Sequence, residues 1–250
     1  MGKVMSFSKD GKLITNAADS SYSTTQYDVS YLKETVITNG LIRYIDFSDP
    51  ACVPASSSVK QLSSFNQTAT TYGSPTYSSS TNSLQCYGNQ MLVMDDVTAT
   101  NYLTIEMVFE KDADGGDEDI LFNKESTWEL KTDAGNISWA VAASNTSWFW
   151  YDTGYDITNN VKYLIDLTYD GTYIKTYING TLQNTYTYTS GGVLANQSSA
   201  YPKFNSRGTT KSDFVNVGYH TLYTWSIYDR ALTASEIKSN YNYLRTKHDI

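Results

Sequence analysis

At 250 residues with 40% hydrophobic content, the chain is long enough for one large domain with a sizeable core. Its 18 Lys and Arg against 26 Asp and Glu leave a net charge of −8, with neither a basic stripe nor a Gly-rich phosphate loop, which argues against nucleic-acid binding. No apolar run approaches roughly 18 residues and the N-terminus, MGKVMSFSKDGKL, lacks an apolar h-region, so neither a membrane span nor a signal peptide is expected.

Met1 to Thr38 is polar, with Ser and Thr gathered between Asp19 and Thr25, and reads as an N-terminal arm. Two readings of it stand side by side: an attachment segment that orders on a partner or adds a strand to a neighbouring sheet, or edge strands packed on its own domain. Asn39-Gly40 opens the domain proper, residues 39–250. Leu41 to Phe47 reads as a strand ended by Ser48-Asp49-Pro50, and a long Ser/Thr/Gln/Asn-rich connection follows to Ser83. Short strands are expected at Leu84 to Tyr87 and Met91 to Met94. Tyr102 to Glu110 alternates cleanly: Leu103, Ile105, Met107 and Phe109 face one way, while Glu106 and Glu110 fall on the other face, read as solvent-facing.

After an acidic turn from Asp112 to Asp119, strands are expected at Ile120 to Asn123, Trp128 to Lys131 and Ile137 to Ala143, followed by an aromatic run, Trp148-Phe149-Trp150-Tyr151. Lys162 to Tyr188 holds three period-two runs broken at Asp170-Gly171 and Asn179-Gly180, pairs suited to type I′ turns, and reads as an antiparallel meander. A loop from Ser190 to Ser212 precedes strands at Phe214 to Tyr219 and Leu222 to Tyr228. Thr233-Ala234-Ser235-Glu236 fits a capping box, and Ile237, Tyr241 and Leu244 recur at helical spacing. Many short strands and one terminal helix imply an all-β, two-sheet antiparallel β-sandwich with a short C-terminal helix and an N-terminal arm.

The residues that carry chemistry are few. Cys52 and Cys86 are the only cysteines, and Cys86, alternating with Leu84, reads as a buried thiol rather than half of a disulfide. His220 and His248 are the only histidines, no Gly-x-Ser-x-Gly elbow occurs, and nucleophilic catalysis is unsupported. Glu106 and Glu110 are roughly 13 Å apart along a regular strand, beyond the ~5–9.5 Å of a glycosidase pair, so no enzymatic activity is expected. Asp112, Asp114, Asp117, Glu118 and Asp119 could supply oxygens to Ca²⁺, but the spacing is not that of an EF-hand and a solvated acidic turn is the plainer reading. No cofactor is otherwise implied. Trp148, Trp150 and Tyr151 are candidates for a platform on which a sugar stacks. Alternation puts the two tryptophans on one face and Phe149 with Tyr151 on the other, so one pair is expected to be core.

Val36 to Asp46, Ser83 to Gly88, Leu103 to Met107, Tyr177 to Gly180, Val217-Gly218 and Ile227 to Ile237 with Asn240-Tyr241 together resemble the concanavalin A-like, laminin G-type jelly roll. They are similar in particular to the version found in structural proteins of tailed bacteriophages. The resemblance implies a non-enzymatic virion protein, assembled in the host cytoplasm, whose partners are other capsid or tail proteins and further copies of itself. The alternative it leaves open is a carbohydrate-binding module or adhesin that takes a glycan ligand.

Overall fold

The computed structural model describes residues 6–7, 13–14, 35–62, 67–98, 101–113, 118–133, 135–144, 147–188 and 193–250. The chain divides into two units, Met1–Thr35 and Val36–Ile250. In the first, β1 (Ser6–Phe7) and β2 (Leu13–Ile14) pair antiparallel.

The second unit runs through β3 (Leu41–Asp46), a 3₁₀ turn at Pro50–Cys52, β4 (Ser58–Lys60), β5 (Thr68–Tyr72), β6 (Thr76–Ser78), β7 (Ser83–Tyr87) and β8 (Met91–Val93). There follow β9 (Leu103–Ala113), β10 (Asp119–Lys124), β11 (Trp128–Asp133), β12 (Asn136–Ser144), β13 (Ser147–Asp156), β14 (Lys162–Tyr169), β15 (Tyr173–Ile178), β16 (Thr181–Thr187), β17 (Lys203–Phe204), β18 (Tyr219–Tyr228) and α1 (Ala234–His248). One sheet has the order β13-β12-β11-β10-β17-β8-β5-β4. The other has the order β16-β15-β14-β9-β18-β7-β6, with β3 also on β18. The result is an antiparallel two-sheet sandwich, as the alternation requires, followed by a C-terminal helix.

Between the sheets lies the main core. Leu103, Ile105, Met107 and Phe109 enter it from β9, and the Phe122 ring packs against Trp128 and Trp139 at 5.3 Å each and against Trp225 at 6.3 Å. Cys52 and Cys86 are both buried and free.

The meander folds with the expected strands, but its two turns differ. Asn179 (φ 51°) and Gly180 (φ 69°) both lie in the left-handed region, as a type I′ turn demands. At the other turn only Gly171 does; Asp170 Oδ1 instead accepts from the amides of Thr172 and Tyr173 and makes a side-chain-stabilised loop. Short strands β4, β5 and β6 lie within the Ser/Thr-rich connection, and β17 lies within the expected loop. Of the strand expected at Phe214 to Tyr219, only a bridge between Arg207 and Val215 precedes β18.

Helix α1 covers the outer face of the β9–β14–β18 sheet. Its N-terminus carries the expected capping box, Thr233 with Glu236, and Arg230 grips the Glu236 carboxylate with Nη1 and Nη2 at 2.9 and 2.7 Å. Ile237 and Leu244 are fully buried on Tyr44, Val108, Leu164, Tyr177 and Tyr228. At the far end Lys247 Nζ lies 2.6 Å from buried Asp46, which also accepts from Tyr44 and Ser48. Against the desolvation that burial imposes, bonds from His248, Lys247 and Ser48 hold Asp46 below the ordinary carboxylate range.

The outer face of β9 corrects the sequence reading. Glu106 is not solvent-facing but fully buried, because α1, more than a hundred residues later in the chain, lies over it. It stands opposite Asp166 on β14 and Ser226 on β18, and Asn240 Nδ2 of α1 donates to its Oε2 at 2.8 Å. Asn240 Oδ1 accepts from the Ile37 amide, tying the start of the second unit to the same point. Burial raises the pKa of both Glu106 and Asp166; Glu106 raises Asp166 further, while a bond from Asp166 eases the ionisation of Glu106, so the pair shares a proton.

A folded-state pKa above the unfolded one means that the native protein holds more protons once the pH passes the ordinary carboxylate range. This contribution to stability is therefore present at low pH and lost as pH rises. Glu106→Gln can still accept from Asn240 and removes one charge. The wild type should lose thermal midpoint relative to Glu106→Gln between pH 5 and pH 9, and parallel midpoints across that range would refute the shared proton. A second test concerns Gly180, where an added Cβ would lie 2.8 Å from Tyr241 Cβ and the backbone has positive φ. Urea denaturation of Gly180→Ala should show a loss of more than about 1 kcal/mol.

Candidate functional site

Strand β13 is the edge of its sheet, and its alternation is resolved by what lies on the inner side. Phe149 packs edge-on against Tyr188 at 5.6 Å and Tyr151 against Tyr186 at 5.1 Å, both against the main core. Trp148 and Trp150 must then point outward. Their rings are neighbours with near-parallel planes, centroids 6.4 Å apart and planes 27° apart, and Trp150 is 45% exposed. Tyr151, grouped with them as a candidate by its place in the sequence, is on the inner side and does not join the platform.

On β12 the register partners of Trp150 and Trp148 are Ala140 and Ala142, both fully buried. Neither alanine is exposed, so both lie beneath the site rather than on its surface. Beyond them, on β11, Glu129 and Lys131 alternate onto the same outer face, and Lys131 Nζ sits 4.6 Å from the Trp150 ring centre. The opposite wall comes from the segment after β17. Arg207 reaches back to chelate Glu129, with Nε to Oε2 at 2.7 Å and Nη2 to Oε1. A cavity of about 180 Å³ is lined by Glu125, Glu129, Trp148, Trp150 and Arg207.

This wall is held from beneath. Lys203, fully buried on β17, directs its ammonium to the Arg207 and Asp213 carbonyls at 3.5 and 3.3 Å. Burial lowers its pKa to about 8. Glu129 accepts a third bond from Asn123 Nδ2 at 2.7 Å. For Glu129 burial outweighs the guanidinium and raises its pKa, whereas for half-buried Arg207 bonding to Glu129 outweighs burial and raises its own. Glu118, bonded by Lys131 and by Asn216 Nδ2 at 2.8 Å, is held below its ordinary value by that lysine. Glu125 is the least engaged carboxylate of the group, with a 3.4 Å contact from Asn123 Nδ2. Nothing in the sequence pattern singled out Glu129 or Arg207, which are 78 residues apart and meet only through the fold.

The acidic turn resolves differently. Asp119 is buried and ion-paired with Lys111 at 3.3 Å, and Asp112 accepts from the Thr221 hydroxyl at 2.9 Å. Asp114 and Asp117 lie outside the described residues. Among the described residues, no three His, Cys, Asp or Glu side chains gather as a metal site requires. Glu106, the candidate acid of a hydrolytic pair, is sealed beneath α1. A larger cleft of about 600 Å³, lined by 56–57 and 70–75 beside β5, offers hydroxyls and Tyr72 but no charged side chain.

Comparison with known proteins places the fold. No curated protein matches the sequence. Among solved structures, similar ones include botulinum neurotoxin type C, described as entering cells through interaction with two ganglioside molecules, at 12% identity and a TM-score of 0.64 over 82% of this chain and 51% of that one. The binding domain of Paraclostridial Mosquitocidal Protein 1 follows at 17% identity and a TM-score of 0.64, over 81% and 52%. The botulinum neurotoxin serotype D ligand-binding domain, in complex with N-acetylneuraminic acid, has 13% identity and a TM-score of 0.62, over 82% and 51%. At such identities the likeness is one of fold, and this chain spans about half the length of those it resembles. Residues 81–238, well over half of the chain, match the family model of the concanavalin A-like lectin/glucanases superfamily, and the chain belongs to that family.

Proposed function

We propose that the second unit is a non-enzymatic carbohydrate-binding module that takes a glycan on the outer face of β13. The observation that carries this reading is the pair of outward tryptophans beside a trough of fixed hydrogen-bonding groups. An indole face offers a flat apolar surface of negative potential to the C–H face of a sugar ring. Glu125, Glu129 and Arg207 stand where ring hydroxyls would project, a few placed polar groups beside an apolar wall, as ligand sites are built. The ganglioside and N-acetylneuraminic acid named for the neurotoxin structures support a glycan as the ligand class for this fold.

A second reading concerns setting rather than ligand. The resemblance of Ile227 to Tyr241 to jelly rolls of tailed-phage structural proteins, together with the division at Thr35, supports display on a virion with Met1–Thr35 as the attachment segment. The two readings are compatible.

A broad glycan array should register binding by the full chain. Trp148→Ala or Trp150→Ala should weaken it at least tenfold, about 1.4 kcal/mol, while leaving the thermal midpoint close to that of the wild type. Phe149→Ala, next in sequence but inward, should instead lower the midpoint. An array that stays silent would refute the platform. For the setting, deletion of residues 1–35 should leave a folded protein that is missing from purified particles, and normal incorporation of the truncated chain would contradict it.

A further inference from the structure

We infer that the trough beside Trp148 and Trp150 selects uncharged sugar residues of a linear chain, and that Glu125 is the specificity-determining group that turns away carboxylated or sulfated ones. This rests on the reading of the tryptophan pair as a glycan platform. It goes beyond that reading by fixing the charge and the shape of the ligand.

Charge comes first. Five ionisable side chains border the trough: the carboxylates Glu118, Glu125 and Glu129 and the cations Lys131 and Arg207. Both cations are already committed. Lys131 is bound to Glu118 with its ammonium over the Trp150 ring, and Arg207 spends Nε and Nη2 on Glu129. With its Nε–Nη2 edge occupied and its charge offset by Glu129, Arg207 leaves Nη1 to a ligand, and the Lys131 charge is offset by Glu118, so neither is the uncompensated cation that recognition of an anion uses. Glu125 is different. It lines the cavity, its 3.4 Å contact with Asn123 leaves most of its acceptor capacity open, and it lies close enough to Glu129 and Arg207 to act on both. An open carboxylate accepts from sugar hydroxyls and repels a uronate, sialate or sulfate, and a chain of net charge −8 adds to that repulsion at long range.

Shape points to a chain rather than a single terminal sugar. The two indoles follow one another along an edge strand, centroids 6.4 Å apart and planes 27° from parallel, a spacing that suits successive rings of a chain. A cavity of about 180 Å³ is small beside the roughly 300–1,000 Å³ of an enclosing ligand pocket. Such a site lines a ligand on one side and leaves its ends free.

The test is a competition on the intact chain between neutral linear oligosaccharides (cello-, xylo- and mannohexaose) and anionic ones (hexagalacturonate and sialyllactose), with Glu125→Gln and Glu125→Lys beside the wild type. The wild type should bind at least one neutral hexaose at least tenfold more tightly than either anion. It should also bind that hexaose more tightly than its disaccharide. Glu125→Gln should narrow the neutral-to-anionic gap and Glu125→Lys close or invert it, gains that a misfolded variant could not produce. A wild type that prefers an anion, with that binding lost in Trp150→Ala, would overturn the inference and leave the platform standing. Sugar binding that ignores Trp150→Ala, or none to either set, would sink both.

Discussion

Strand β13 can bury only one of its two faces, and everything proposed for this protein follows from which one it buries. The inner side closes the open flank of the sandwich: Phe149 meets Tyr188 and Tyr151 meets Tyr186. The same flank is tied by Asn184 and Tyr186 of β16, which donate to the Thr153 and Asp152 carbonyls of β13. With those aromatic rings committed inward, a period of two leaves Trp148 and Trp150 no other place than the outer surface. Two large indoles side by side on a surface are costly to leave in water without use.

The two outer faces of the sandwich are finished in contrasting ways. One sheet is roofed by α1, whose seat combines apolar contacts with two charged arrangements of opposite logic. Asp46 is surrounded by donors and stays ionised, while Glu106 and Asp166 face each other and must hold a proton. Such a buried polar row is weak evidence of extra stability, but it is demanding about register, since it sets Asn240 of α1 against Glu106. The other sheet is only half covered. The segment after β17 lies over Lys203 and carries Arg207 to Glu129, so the outward tryptophans stand next to a rigid charged wall. A wall fixed by a bidentate pair on a buried carboxylate and by an ammonium on backbone carbonyls loses little freedom when a ligand arrives.

How much of this was legible in the sequence varied with the physics. The meander and the α1 cap were plain, because Asn179-Gly180 and Thr233 to Glu236 act locally and their neighbours repeat at the expected period. Strands β4, β5 and β6 were not, because Ser and Thr at both parities leave no alternation to read. Lys203 was hidden for a different reason: a lysine on an outward strand position is ordinarily solvated, and only the overlying segment buries it. Glu106 was misread on the same ground, since its cover is a helix from the far end of the chain. Alternation did separate Trp148 and Trp150 from Phe149 and Tyr151, but choosing the outward pair required β16 and Tyr188, which the aromatic run itself does not contain. Arg207 and Glu129 carried no signal at all, because their pairing exists only across the folded sheet.

The chain holds five tryptophans, of which Trp128, Trp139 and Trp225 are buried in the core and two form the platform. Their five indole N–H signals in a proton–nitrogen correlation spectrum, followed through a titration with the tightest-binding oligosaccharide, test the central claim most directly. The account expects the signals of Trp148 and Trp150 to move together and saturably while the three core signals stay in place. Saturable binding that leaves both platform signals unmoved would contradict it.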